Sequence, residues 1–192
     1  MTLLILGLIL FLGQHSLRII APDQRLRLMA QLGDGGWKIG YSLLSLLTLA
    51  VLIYGYAAAP VINVWYPPMG MNHLTVTLML FASICLAASL LPAGHIATKT
   101  KHPLILAVKI WAFSHLASNG DLRSILLFAA FLAWGVIMRI ALKRAERAGA
   151  VTLRPFMSAR YDFGAIGLGV VFWGAMIFRL HEWLIGVQPL PF

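Results

Sequence analysis

The sequence predicts an all-α, polytopic membrane bundle, and three observations predict it. Hydrophobic residues make up 60% of the 192 positions, charged residues only 11%, and the mean hydropathy is +0.86. Soluble domains carry roughly 25% charged residues. A soluble core cannot hide so much apolar surface, whereas a bilayer solvates it, provided every backbone group is bonded within helices or a closed barrel. The apolar residues are also grouped into long runs, and all nine prolines fall between or at the edges of those runs. Proline inside a helix removes a backbone hydrogen bond, so this placement marks where helices stop and start.

A helix needs about 20 residues to cross the hydrocarbon core. About six stretches qualify or come close: Thr2–Ile20, Trp37–Ala59, His73–Leu91, Pro103–Ser118, Asp121–Leu142 and Phe163–Val187. The first is apolar from its start with no preceding Lys or Arg, so we expect a retained helix rather than a cleaved secretory signal. The fourth is short and needs a thin patch of bilayer or a longer helix. Pro103 fits the first turn of that helix, where its missing N–H costs nothing. The chain reads as a single transmembrane domain over residues 1–192, without repeats.

Eleven of the 15 basic residues lie on alternate connections. They are Arg18, Arg25, Arg27 and Lys38, then Lys99 and Lys101, then Lys143, Arg144, Arg147, Arg154 and Arg160. Connections 60–72 and 119–120 contain none. Positive loops stay cytoplasmic, which predicts both termini outside. The net charge of +9 is then a topology signal and an attraction to anionic lipid, not a nucleic-acid surface. Tyr54, Tyr56, Trp65 and Tyr66 suit an outer aromatic belt, and Trp37 and Tyr41 an inner one. Gly36 with Gly40, and Ala165 with Gly169, are spaced for close helix crossings. The single cysteine, Cys85, excludes an internal disulfide, a thiolate-held iron–sulfur cluster and a Cys-rich zinc site within one chain. No Cys-x-x-Cys-His is present, which excludes covalent haem attachment.

Ionisable residues inside a span are costly and mark sites. Lys109 and Arg139 lie close enough to helix ends to snorkel, and Arg179 with Glu182 is spaced to form an i, i+3 pair. His73, His95 and His102 fall at interfaces. His15 and His115 fall within spans, His115 about 18 Å beyond Pro103 along a helix. Two imidazoles with no carboxylate in mid-membrane suit a shared iron, and haem supplies the other four nitrogen ligands itself. Ala112, one turn before His115, leaves room for a flat macrocycle, and Gly7 and Phe11 share the face of His15. Arg18, three residues after His15, is placed to meet a haem propionate. Packing alanines and glycines are equally common in bundles without cofactors.

Two stretches and a terminal motif carry a resemblance. Leu6–Arg18 contains GLILFLGQHSLR, His102–Trp134 reads HPLILAVKIWAFSHLASNGDLRSILLFAAFLAW, and His181–Val187 reads HEWLIGV. Together they resemble the NnrU family of bacterial membrane proteins, which is associated with nitrite and nitric oxide metabolism (denitrification). That family is similar to plant zeta-carotene isomerase, which uses haem b. The resemblance implies a bacterial inner-membrane protein with haem b on His15, in His15-Ser16-Leu17-Arg18, and on His115, in Trp111-Ala112-Phe113-Ser114-His115. Ala112 stands where the isomerase has cysteine, so a histidine-to-cysteine ligand switch has no residue here. By naive helix counting the two histidines differ in depth by about 10 Å; boundary shifts of several residues would remove that difference, and otherwise His181, near the outer end of the last helix, is the substitute partner of His115.

The expected role is therefore redox, small-ligand or isomerase-like, on an apolar or gaseous ligand. With both axial positions filled by histidine the iron favours electron transfer. Two other functions compete. Lys101-His102-Pro103, with Arg144 and Glu146 downstream, resembles the signature of isoprenylcysteine-type membrane methyltransferases, which hold S-adenosylmethionine on the inner face. A non-enzymatic transporter or assembly factor is the third, although no broken-helix pair supports transport.

Overall fold

The computed structural model describes residues 1–190, and its regular secondary structure is all helical, apart from an isolated Asn63–Asp121 bridge. The helices are α1 Thr2–His15, α2 Leu17–Ile20, α3 Pro22–Ala57, α4 Met71–Leu90, α5 His95–Thr100, α6 Pro103–Ser118, α7 Leu122–Arg147, α8 Arg160–Ala175 and α9 His181–Ile185. A π-helical turn, Met176–Leu180, joins α8 to α9. Four runs are long and apolar enough to cross a membrane: Pro22–Ala57, Met71–Leu90, Leu122–Arg147 and Arg160–Ile185. The other two expected spans, α1 and α6, are shorter, at 14 and 16 residues. The protein is thus an all-α membrane protein; among the described residues four helices are long and apolar enough to span a membrane, and α1 and α6 are shorter apolar helices.

Local sequence explains the boundaries. Pro22 and Pro103 sit in the first turns of α3 and α6. The expected first span ends early: the backbone breaks at Ser16, and the chain re-enters α3 after Ala21. α3 begins 15 residues before the expected Trp37, with a non-helical Gly33 (φ 67°, ψ 171°) between its polar and apolar parts. That backbone conformation is cheap only for glycine. Pro191 lies outside the described residues.

Two compact units emerge. The first comprises residues 1–64 and 121–130, the second 65–120 and 131–192. In the first, α1 lies along α3, and the approach is close because glycine permits it. A Cβ on Gly7 would stand 2.6 Å from Leu52 Cα, and one on Gly55 2.7 Å from the Leu3 carbonyl. Gln14 fastens the same pair near the C-terminal end of α1. Its Nε2 donates to Tyr41 O (3.0 Å) and Ser45 Oγ (2.8 Å), and its Oε1 accepts from Thr48 Oγ1 (3.2 Å). With no water in the hydrocarbon region such bonds act as glue. Arg123, at the start of α7, stacks over the Tyr56 ring and reaches the Tyr56 and Ala59 carbonyls at the end of α3. It also pairs with Asp121 at 3.5 Å.

In the second unit α4 packs against both α6 and α8. Its core is alanine: Ala82, Ala87, Ala88, Ala107, Ala112 and Ala165 are all buried. Gly169 meets α4 directly, since a Cβ there would stand 2.7 Å from Ile84 Cα. The expected crossing at Ala165 and Gly169 is therefore present. The one expected at Gly36 and Gly40 is not: Gly40 has open space around its Cβ position, and Gly36 meets only its own helix at Leu32.

Candidate functional site

Each histidine singled out by the sequence is held the same way. His15 closes α1, and its Nδ1 lies 2.7 Å from the Phe11 carbonyl one turn back. His115 lies near the end of α6, its Nδ1 2.9 Å from the Trp111 carbonyl, again one turn back. His181 opens α9, its Nδ1 2.7 Å from the Val187 carbonyl. A carbonyl only accepts, so in all three rings Nδ1 carries the proton and donates. In the neutral imidazole this leaves the lone pair on Nε2. An Nδ1–H bonded to a backbone carbonyl is the support that fixes tautomer and orientation in metal-ligating histidines.

His15 and Arg18 belong to the first unit. The Phe11 ring lies 4.2 Å from that of His15, and the Tyr41 ring meets it edge-on at 5.7 Å. Arg18 is exposed on α2, beyond the break at Ser16. Trp111, Ala112, His115 and His181 belong to the second unit. Ala112 is fully buried, so its small side chain serves helix packing. The Trp111 ring lies 5.7 Å from His115 and meets Phe131 edge-on at 5.3 Å. Ser114, fully buried, passes its carbonyl to Thr75 Oγ1 on α4, which fixes α6 at the level of His115. The structure brings His115 and His181 together, with ring centroids 6.4 Å apart and planes within 18°. The neighbours Tyr41, Phe131 and Thr75 are not readable from sequence, because they depend on which helices pair.

A second cluster lies at the start of α6, about 18 Å along the helix from His115. Glu146, beyond the apolar part of α7, accepts from Lys101 Nζ (2.8 Å), His102 Nε2 (2.7 Å) and Arg139 (3.2 Å). Lys101, with His102 and Arg139, holds the Glu146 carboxyl down at about 2, against the cost of burial. Arg139 thus extends toward the end of α7 and pairs with Glu146 there. Arg144 is exposed. Nearby, Asp162 caps α5 by accepting from the His95 and Ile96 N–H groups at 2.8 Å, and Arg154 satisfies the Ala88, Ser89 and Leu91 carbonyls at the end of α4. The expected Arg179–Glu182 pair is not among the ion pairs of the described residues; Glu182 accepts from Gln188 instead.

No group of three or more His, Cys, Asp or Glu side chains suited to a metal forms among the described residues. One or two imidazoles suffice only where a macrocycle supplies the other ligands. The NnrU family model matches residues 3–189, almost the whole sequence. The chain belongs to the NnrU family. No curated protein and no solved structure matches it. In this NnrU chain His15, His115 and His181, which lie in the three stretches quoted for the resemblance, each have Nδ1 on a backbone carbonyl.

Proposed function

We propose that this NnrU protein binds haem b within the membrane through histidine Nε2 atoms. The observation that supports the reading is the shared presentation of the three rings, each with Nδ1–H donated to a carbonyl. His115 would be one of the residues that hold the haem. The other is a histidine of the same kind, for which the family likeness offers His15 and the fold of the second unit offers His181. Arg18 is the propionate partner, Trp111 supplies an aromatic wall and the carbonyl that orients His115, and Ala112 keeps that stretch of α6 slim. Haem, when bound, supplies one-electron chemistry or binding of a small gaseous or apolar ligand, and only the second requires an axial position to open. A role in nitrite or nitric oxide metabolism, or an isomerase-like one, follows from the family likeness. The alternating basic connections support an inner-membrane orientation with both termini outside. Arg123, near the uncharged connection, is held by Asp121 and the end of α3.

The test is the absorption spectrum of detergent-purified protein expressed with ample haem, oxidised and dithionite-reduced. A Soret band with sharp reduced bands, altered in His115→Ala, is expected. A colourless protein refutes the reading.

One observation favours a second reading, a small membrane methyltransferase. His102 and Glu146, the residues of that resemblance, are distant in sequence and meet at 2.7 Å. Binding of S-adenosylmethionine that depends on His102 and Glu146, in a colourless protein, would establish it. Survival of the cellular phenotype without any of these residues would point to an assembly factor.

A further inference from the structure

We infer that His181 is the axial partner of His115, so that the second unit alone brackets one metal between two imidazoles. The inference rests on the haem reading above and goes beyond it by choosing the ligand pair.

Three observations converge. The first is the ring geometry. Imidazole nitrogens bind first-row metals at about 2.0–2.1 Å, so two rings on opposite sides of one ion have centroids about 6 Å apart. The His115 and His181 centroids are 6.4 Å apart, with planes within 18°.

The second is the π-helical turn Met176–Leu180, which ends at the residue before His181. A π turn inserts one extra residue into a helix and is found mostly at functional sites. An α-helix advances about 100° per residue, so this insertion decides which direction residue 181 occupies. A continuous α-helix from Arg160 would have placed it elsewhere around the axis.

The third is the motif His181–Val187 itself. α9 ends at Gly186 (φ 81°), whose N–H bonds back to Glu182 O at 2.8 Å. This left-handed turn is a helix stop that glycine makes without strain. It brings the next carbonyl, that of Val187, to 2.7 Å from His181 Nδ1. The seven-residue motif is therefore a self-contained device that fixes the ring and places the lone pair on Nε2. Neither a simple helix end nor a packing contact calls for this combination.

The test uses the full-length protein purified with haem and read by absorption and by electron paramagnetic resonance of the ferric state. His181→Gly, His115→Gly and His15→Gly are compared, each with and without added imidazole. Conversion of His181→Gly from a low-spin six-coordinate spectrum to a high-spin one, restored by imidazole, is the expected result. Rescue separates ligation from a structural role, because imidazole cannot repair a misfolded chain. A His181→Gly spectrum identical to the unsubstituted protein, or a loss that imidazole does not repair, overturns the inference. If His15→Gly alone shows conversion and rescue, the haem reading stands and His181 is not the ligand. A protein that takes up no haem defeats both.

Discussion

Replacing Gly169 by alanine should separate α8 from α4, and the sole cysteine will report it. A Cβ at position 169 would lie 2.7 Å from Ile84 Cα and 2.8 Å from Ile84 N, where ordinary contact begins near 3.4 Å. The obstacle is backbone, so no rotamer relieves it, and the helices must part by about 0.7 Å. Forcing one methyl into a packed contact costs about 1–3 kcal/mol. Alanine also gains about 0.8–1.0 kcal/mol of helix propensity over glycine, which masks part of that cost. Gly167→Ala removes the ambiguity. It lies on the same helix with open space at its Cβ position, so it takes the propensity gain alone. The difference between the two variants is the packing cost. At about 2–4 °C per kcal/mol for a chain of this size, it amounts to about 2–12 °C. Cys85 is buried on α4, next to Ile84, and is the only thiol. A thiol-reactive fluorophore followed during heating in detergent therefore reads the exposure of α4 without an introduced cysteine. A midpoint for Gly169→Ala equal to or above that of Gly167→Ala would refute the crossing.

Gln14→Ala should destabilise the first unit by about 0.6–2 kcal/mol, the range for interhelical hydrogen bonds in membranes; an unchanged melting curve by circular dichroism would show that the α1–α3 knot carries no weight. Lowering the pH should strip the Glu146 network of its stabilisation. The Glu146 carboxyl titrates at about 2 in the folded chain, below its ordinary 4.5. Its contribution is therefore full above about 4.5 and is lost as the pH falls through 2. Glu146→Gln should lower the melting temperature at neutral pH and flatten its dependence on acid. A parallel pH profile in both proteins would exclude the network as the cause. The spectra of the His115 and His181 variants complete the set.

Class and some boundaries were legible because they rest on local rules. Hydropathy located the long helices, and Pro103 marked a true first turn, whereas α3 starts at Pro22, 15 residues before the expected Trp37. Span length was legible only in part. The break at Ser16 shortens the first helix, and nothing in His15-Ser16-Leu17-Arg18 announces it. Small-residue spacing was ambiguous for a physical reason. Gly169 meets a neighbouring backbone and Gly40 meets open space, yet both pairs share the same spacing, and only helix pairing separates them. Arg123 escaped notice because it sits inside an apolar stretch, although its role as a cation at the end of α3 follows from the helix dipole. His181 could be suspected from depth along the helices, but its pairing with His115 depends on a π turn with no signature in Met176–Leu180.

That turn makes the last helix adjustable by the smallest genetic change. Deleting any one residue of Met176–Leu180 would restore ordinary i→i+4 bonding. It would also swing everything downstream back by about 100° and draw it in by about 1.5 Å. His181, Gly186 and Val187 would travel as one block, since their contacts with one another are internal to it. A relative lacking one codon here would keep its membrane helices, its packing against α4 and its motif, yet present the histidine to a different neighbour. Within such a family, counting residues between Gly169 and the terminal histidine would sort chains by the partner that histidine meets.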